Sequence, residues 1–352
     1  MKRAVLLCLL GLSLLLGCQD QPAAPAPTAA PTAVPVVVEA TAAPQAITLT
    51  MAPTFTPAPA ATPRPTFTPA PTPAPTATPT PGPTPFSLAL FPDTQALAYS
   101  HPEAFPQLRD WIESHRTAEN IIGIIHTGDM VDNGFKDEQW DRFAPLLESV
   151  HDGVFFFPIA GNHDLGAHAQ SYYAYLKRPF LDDYPEEQKF EGGKMIYRVI
   201  TAGEEQILLL GVGWDAYKST PAVRWIDQVL SEHEGMPCIL VTHGFLLSNG
   251  GYLSYLEKLI SQRPAIRLVL CSHARDYQTR SFSYDDDGDG VPERSVTALM
   301  LNMQDKKDYA FRLLTFDPAA HAIQVRTFRL DGAPAPDLEG LGPISFTLEN
   351  AY

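Results

Sequence analysis

The chain has 352 residues, 34 prolines and a net charge of -15. Nineteen of the prolines lie between Gln19 and Pro85, so the first quarter of the chain is excluded from any packed core, and about 265 residues remain for one α/β domain. Residues 86–352 carry nearly all of the negative charge and contain no basic run, so no nucleic acid is expected as a partner, because binding it requires clustered Lys and Arg.

The start of the chain has the pattern of an export signal. Lys2 and Arg3 precede an apolar run from Ala4 to Leu16, which is too short to span a bilayer but typical of a signal-peptide core. The run ends in Leu-Leu-Gly-Cys, which resembles the lipobox of bacterial lipoproteins. The resemblance implies a signal peptide over residues 1–17, a lipid on Cys18 that enters a membrane, and a protein anchored on the extracytoplasmic side. A plain secretory signal with an incidental cysteine is the alternative, and it also exports the protein.

Residues 18–85 consist mainly of Pro, Thr and Ala and carry almost no charge. Proline fixes φ and removes a backbone donor, so this segment is predicted to be a disordered linker that samples polyproline II. At ~3.1 Å per residue it could extend to about 200 Å. Such a linker would hold the following domain away from a membrane.

Residues 86–352 are predicted to form one domain in which short apolar strands alternate with amphipathic helices. The predicted strands of this part are Ser87–Phe91, Ile121–His126, Val154–Ile159, Ile207–Val212, Ile239–Thr242 and Ile266–Cys271. The helices between them are Phe105–His115, Glu138–Val150, Val223–His233 and Leu253–Arg263. Only strands are predicted afterwards, at Tyr277–Tyr284, Ser295–Met303, Phe311–Asp317 and Ile323–Arg329. This order predicts an α/β fold with four layers, α/β/β/α, in which two packed mixed sheets are flanked by helices.

Two cysteines, Cys238 and Cys271, lie within predicted strands of the domain. If His243 and His273 lie level at the ends of neighbouring parallel strands, the cysteines are offset by three residues, or ~10 Å. A disulfide requires Cα atoms within about 7 Å. The sequence therefore predicts two buried free thiols.

Five of the predicted strands end in residues with side chains suited to a charged ligand. These residues are Asp93, Gln95, Asp129, Asn162, His163, Asp164, His243, His273 and Arg275. Ligands of open α/β sheets bind beyond the carboxyl ends of the strands. Oxygen and imidazole donors that converge there favour a divalent cation.

The ordered motifs Gly-Asp-x-x-Asp, Gly-Asn-His-Asp and a later His-x-Arg resemble those of the calcineurin-like metallophosphoesterase superfamily, over about residues 86–329. The resemblance implies one or two divalent transition-metal ions of the Mn, Fe or Zn type, with Asp129 as the bridge between them. Asn162, His243 and His273 would complete one site. The other would be served by Asp93 and Gln95.

The resemblance also implies a reaction, the hydrolysis of a phosphate mono- or diester by a metal-bound hydroxide. His163 would lie beside the phosphoester substrate, and Asp164 would orient its ring. Arg275 stands where the family has a last metal-binding His, and guanidinium cannot ligate a metal, although it can bind phosphate through two hydrogen bonds. The alternative is a non-catalytic surface binding protein on the same scaffold with one degraded metal site.

The segment from Asp285 to Gly290 matches the first half of a calcium loop, with oxygens from Asp285, Asp287 and Asp289. Position twelve is Val296, where a bidentate Glu is expected. The incomplete match favours an acidic hairpin turn, and a structural calcium site is the alternative.

Overall fold

A computed structural model describes residues 84–165, 184–202, 205–304, 309–337 and 343–352. The predicted signal peptide, Cys18 and nearly all of the linker lie outside these ranges. Within them, no helix combines the length and the apolar composition needed to cross a bilayer.

The described elements include every predicted strand and helix, together with strands and helices that were not predicted. The strands are β1 (Phe86–Phe91), β2 (Ile121–His126), β3 (Phe155–Pro158), β4 (Lys189–Phe190), β5 (Met195–Ala202), β6 (Glu205–Val212), β7 (Cys238–Thr242), β8 (Ile266–Cys271), β9 (Tyr277–Tyr284), β10 (Arg294–Leu301), β11 (Ala310–Asp317), β12 (Ala322–Arg329) and β13 (Phe346–Leu348). The α-helices are α1 (Gln95–Ser100), α2 (Ala104–His115), α3 (Asp137–Leu147), α4 (Asn162–Leu165), α5 (Thr220–Glu232) and α6 (Ser254–Ser261).

These strands form two mixed sheets, which confirms the predicted fold class. The first sheet has the order β13-β12-β11-β1-β2-β3, with β1, β2 and β3 parallel and the other pairs antiparallel. The second has the order β4-β5-β6-β7-β8-β10-β9, with a parallel centre from β6 to β10 and antiparallel pairs at both edges. The C-terminal strands therefore do not form a sheet of their own, because they are divided between the two.

The central core lies between the two sheets, and a second core lies under the helices of the second sheet. Successive side chains of a strand point to opposite faces, so β7 contributes Ile239 and Val241 to the central core and Cys238 and Leu240 to the second one. Burial on both faces explains why these strands are continuous apolar runs in the sequence.

The prediction of two free thiols is confirmed, since Cys238 and Cys271 are both unpaired and buried in the second core. Cys238 lies opposite Ile266, at the far end of β8 from Cys271. The two histidines are not level, because the amide of Ser272 donates to the carbonyl of His243 at 2.8 Å. The offset between the thiols is therefore one residue larger than predicted. Burial raises the pKa of Cys271 to about 12.

Candidate metal centre

Four of the predicted metal ligands lie together where strands from both sheets end. His243 Nε2 lies 3.2 Å from Asp129 Oδ2, 3.1 Å from Asn162 Oδ1 and 3.1 Å from His273 Nδ1. Ligand atoms of Asp129, His243 and His273 all lie within 4.8 Å of one another. Two imidazoles, a carboxylate and an amide oxygen at this spacing fit a divalent transition metal.

The position of Asp129 depends on two turns that pack against each other. Gly128 and Asp129 follow β2 with φ angles of 95° and 53°, which turns the chain sharply at the end of the strand. The Asp129 side chain then meets the turn after β3, where the amide of His163 donates to Oδ1 at 2.9 Å. A Cβ on Gly161 would lie 2.2 Å from that Oδ1, so only glycine fits.

The tautomer of His243 also fits a metal ligand. Its Nδ1 lies 2.8 Å from the carbonyl oxygen of Thr127, which can only accept, so Nδ1 carries a proton and Nε2 faces the cluster. Backbone contacts of this kind fix the ring orientation of metal-binding histidines.

The charged groups of the cluster shift one another's pKa values. Burial opposes protonation of His243, but Asp129 and Asp93 outweigh it and raise the pKa of His243 to about 9. Burial would raise the pKa of Asp129, yet His243 and the hydrogen bonds lower it below the usual value. The protein groups thus hold a positive charge between carboxylates, and a divalent cation there would displace the His243 proton.

Asp93 and Gln95 lie beside this cluster. Burial and the charge of Asp129 raise the pKa of Asp93 to about 6, against the effect of His243. Asp93 Oδ2 accepts from the amide of His273 at 3.3 Å, and Oδ1 accepts from Gln304 Nε2 at 3.4 Å. Gln95 begins α1, and its buried Oε1 has no hydrogen-bond partner in the part of the chain that the structure describes.

The residue that holds the His163 ring differs from the one that the resemblance implied. The His163 ring is held by Asp132, whose carbonyl oxygen lies 2.7 Å from Nδ1. Asp164 instead accepts from the amides of Val131 at 3.1 Å and Gly161 at 2.9 Å, so it ties the two turns together. Asp164 therefore does not orient the His163 ring. Burial and the charge of Asp129 raise the pKa of Asp164 to about 7.

A cavity of about 370 Å³ opens beside the cluster. Its lining residues are Gln95, Ala96, Tyr99, Asp129, Asp132, His163, His273, Arg275 and Gln304. Arg275 is exposed in this wall and forms no ion pair with any residue of the described ranges. Its positive charge is therefore available to an anion in the cavity.

Three residues around the site were not predicted from the sequence: Trp214, Tyr99 and Gln304. The Trp214 ring packs 4.6 Å from that of His273 and 5.6 Å from that of His243, centroid to centroid. Trp214 and Gln304 follow the parallel strands β6 and β10, so the strand-end rule could have identified both. Tyr99, at 60% exposure on α1, has no sequence signal that distinguishes it from other surface aromatics.

The acidic segment after β9 forms the connection to β10, as the hairpin interpretation predicts. Carboxylate oxygens of Asp285, Asp287, Asp289 and Glu293 lie within 4.8 Å of one another, and all four residues are exposed. Glu293 occupies position nine of the loop rather than twelve. Exposed acidic groups gather in this way without an ion as well, so the calcium site stays a prediction.

Comparisons with known proteins agree with this geometry. The profile of a family described as calcineurin-like phosphoesterase matches residues 86–274, more than half of the chain. The uncharacterised protein YvnB of Bacillus subtilis is 29% identical over 257 residues, which cover 69% of this chain and 20% of YvnB. The chain thus spans about a fifth of the length of this curated relative.

The chain is similar to two solved structures to different degrees. A purple acid phosphatase from yellow lupin seeds superimposes with a TM-score of 0.52 and 14% identity, over 76% of this chain and 54% of the phosphatase. A protein described as the anchor in the inner membrane complex of Plasmodium gives a TM-score of 0.45 and 13% identity, over 75% and 88% of the two chains. The likeness in fold therefore rests on the lupin structure.

Proposed function

Because the chain belongs to the calcineurin-like phosphoesterase family, we propose that it hydrolyses phosphate mono- or diesters with the help of a bound divalent metal. The observation that carries the proposal is the convergence of Asp129, Asn162, His243 and His273 on one point next to an open cavity. Family membership supports the class of reaction. The open cavity supports the access of a substrate to the metal site.

Different residues of the site would bind the metal and donate a proton. Asp129, Asn162, His243 and His273 would hold the metal, which supplies Lewis acidity and lowers the pKa of a coordinated water. His163 keeps Nδ1 on the carbonyl of Asp132, so its Nε2, when protonated, can donate to the leaving ester oxygen.

Arg275 would bind the substrate phosphate. Its guanidinium has five donors and no acceptor, so it matches the oxygens of a phosphate group and not a cation. Its place in the cavity wall, on the loop that also carries His273, supports this role.

We further propose that the protein is exported and anchored to a membrane through a lipid on Cys18. The support is the basic start, the short apolar run and the Leu-Leu-Gly-Cys sequence that ends it. The proline-rich segment would then act as the spacer between the lipid and the hydrolase domain.

The hydrolase proposal is tested with the full chain, Mn²⁺, and the p-nitrophenyl phosphate mono- and diesters. We expect turnover that EDTA abolishes and added Mn²⁺ restores. Asp129→Asn should lower kcat/KM by at least about 100-fold, because a buried ligand carboxylate is lost. The matched change Asp227→Asn, at an exposed carboxylate that pairs with Arg263, should have no effect. Tight metal binding without turnover of either ester would contradict the proposal and favour the non-catalytic binding protein.

A further inference from the structure

Gln304 is a buried residue in the cavity wall that no family motif includes. It follows β10, and it is 5% exposed. Its Nε2 donates to Asp93 Oδ1 at 3.4 Å. This contact fixes the orientation of the amide group, because a carboxylate requires a donor opposite it. Gln304 Oε1 is therefore the free end of the amide.

The free oxygens of two glutamines in this wall have no hydrogen-bond partner among the described residues. Gln304 Oε1 and Gln95 Oε1 are both buried, and neither accepts a hydrogen bond. Leaving a buried acceptor unpaired is unfavourable, so such atoms normally meet a donor or a cation. Asp93 contacts the nitrogen of the Gln304 amide, and Asp129 lines the same cavity as both glutamines. Both carboxylates add only further acceptors when ionised.

This set of atoms suits a cation of a particular kind. Carboxylate and amide oxygens are the ligands of hard divalent ions such as Mg²⁺ and Mn²⁺, whereas imidazole suits Zn²⁺ and iron. The cluster around His243 contains two imidazoles, whereas the unpaired side-chain atoms of Gln95 and Gln304 are both amide oxygens. Asp129 belongs to the cluster and also lines the cavity.

We propose that Gln304 supplies the ligand oxygen that Arg275 cannot supply, and that it completes with Asp93, Gln95 and Asp129 an all-oxygen site for a hard divalent cation. This inference rests on the proposed function in one respect, since it assumes that the neighbouring imidazole cluster holds a metal. The chain then binds two ions of different chemistry, and the Arg275 side chain remains free for phosphate.

A metal titration of the full chain tests the assignment. One equivalent of Zn²⁺ is added first to fill the imidazole site, and Mn²⁺ binding is then followed by electron paramagnetic resonance and equilibrium dialysis. We expect one Mn²⁺ per wild-type chain. Gln304→Ala should weaken Mn²⁺ binding by at least tenfold and leave Zn²⁺ binding unchanged, whereas Gln304→Glu, which keeps an oxygen ligand, should retain Mn²⁺.

Two further variants sharpen the result. Gln278→Ala is the matched control, because this half-buried glutamine donates to the carbonyl of Leu247 and to Asp276 outside the cavity. It should bind Mn²⁺ as the wild type does. Adding Arg275→His to Gln304→Ala supplies a ligand at the position that the family fills with His. It should recover part of the Mn²⁺ binding, because imidazole is a poorer ligand for Mn²⁺ than oxygen. Far-UV circular dichroism shows whether each variant is folded.

Two outcomes would overturn the assignment of Gln304. One is a wild-type chain that binds no Mn²⁺ once the imidazole site is filled, and the other is an unchanged Mn²⁺ affinity in a folded Gln304→Ala. The phosphoesterase proposal fails separately, if the wild-type chain with both ions bound turns over no ester. Because the titration measures binding alone, its result is independent of turnover.

Discussion

His126 is a buried histidine next to the metal centre that is held in its neutral form. Thr94 Oγ1 donates to the carbonyl of Met130 at 2.8 Å, so it must accept from His126 Nε2 at 3.1 Å. The amide of Gly128 donates to Nδ1 at 3.2 Å. One ring nitrogen is thus a donor and the other an acceptor. Burial and the charge of His243 lower the pKa of His126 to about 3.

The neutral state of His126 predicts a pH-dependent stability. The unfolded chain takes up a proton at this residue near pH 6.5 and the folded chain only near pH 3, so the stabilisation is complete above pH 6.5 and is lost as the pH falls. Between pH 7 and pH 5 the loss amounts to about 2 kcal/mol. Urea unfolding in EDTA measures the free energy of unfolding at pH 7 and at pH 5. Over this interval it should fall by about 2 kcal/mol less in His126→Asn than in the wild type.

Asp93 and Asp164 act in the opposite direction. Their raised pKa values, about 6 and about 7, mean that the folded chain takes up their protons first, so they stabilise the fold as the pH falls. Asp93 and Asp164 are present in the wild type and in His126→Asn, so their contributions cancel when the two proteins are compared. An identical pH dependence in wild type and His126→Asn would contradict the burial argument.

The residues of the site differ in how far the sequence reveals them. Asp129, Asn162, His243 and His273 were predictable, because each follows an apolar strand within a recognisable motif. Gln304 follows a strand too, but its single amide has no motif around it, and only the fold shows its contact with Asp93. The prediction that Asp164 orients the His163 ring was wrong, because the backbone carbonyl of Asp132 holds the ring. Every residue has a backbone carbonyl, so the sequence does not indicate which one makes this contact.

At the scale of elements, the turns after β2 and β3 form one interlocked unit. Asp164 reaches from one turn to the amides of both, and Gly161 allows Asp129 to lie against the other turn. The metal ligands Asp129 and Asn162 are therefore positioned by the same contacts.

Two glycine substitutions distinguish the effect of this unit on metal binding from the effect of ordinary core packing on stability. Gly161→Ala should abolish tight metal binding, because its Cβ would lie 2.2 Å from Asp129 Oδ1 and 2.3 Å from the Asp129 amide nitrogen. Gly123→Ala places a Cβ 2.3 Å from the Phe155 ring, away from the site, so it should lower the free energy of unfolding by about 1–3 kcal/mol and leave metal affinity intact. Calorimetric Zn²⁺ titration and urea unfolding measure the two effects. Tight metal binding in Gly161→Ala would refute the interlocked turns.

The elements themselves were largely predictable, because strands buried on both faces appear as apolar runs between amphipathic helices. Three strands were not predicted. β4 and β13 lie at the edges of the two sheets, and β5 lies next to β4. β5 pairs with β6 along eight residues without a helix between them, so it interrupts the alternation on which the prediction was based. The division of the C-terminal strands between two sheets depends on pairings that no local pattern encodes.

At the scale of the whole molecule, the anchor proposal makes a prediction about location. In a bacterial host that processes lipoproteins, Cys18→Ser should move the protein from the membrane fraction to the soluble or secreted fraction, because the acylated sulfur is lost. Cys8→Ser, inside the apolar run, is the matched control and should stay in the membrane fraction. Detergent phase separation and immunoblotting report both. A Cys18→Ser protein that remains with the membrane would exclude the lipid anchor.

The pairing of β1 has a consequence for the order in which the protein can fold. β1 lies between β2 and β11, and its Ser87 hydroxyl meets that of Thr315, 228 positions later in the chain. A nascent chain therefore presents Asp93 long before β11 has emerged from the ribosome, and contacts so distant in sequence form slowly. Until β11 has been synthesised, β1 has one edge without a pairing strand. Such an unpaired edge can bind chaperones or pair with other chains in aggregates. The metal pocket can therefore close only after β11 has been translated.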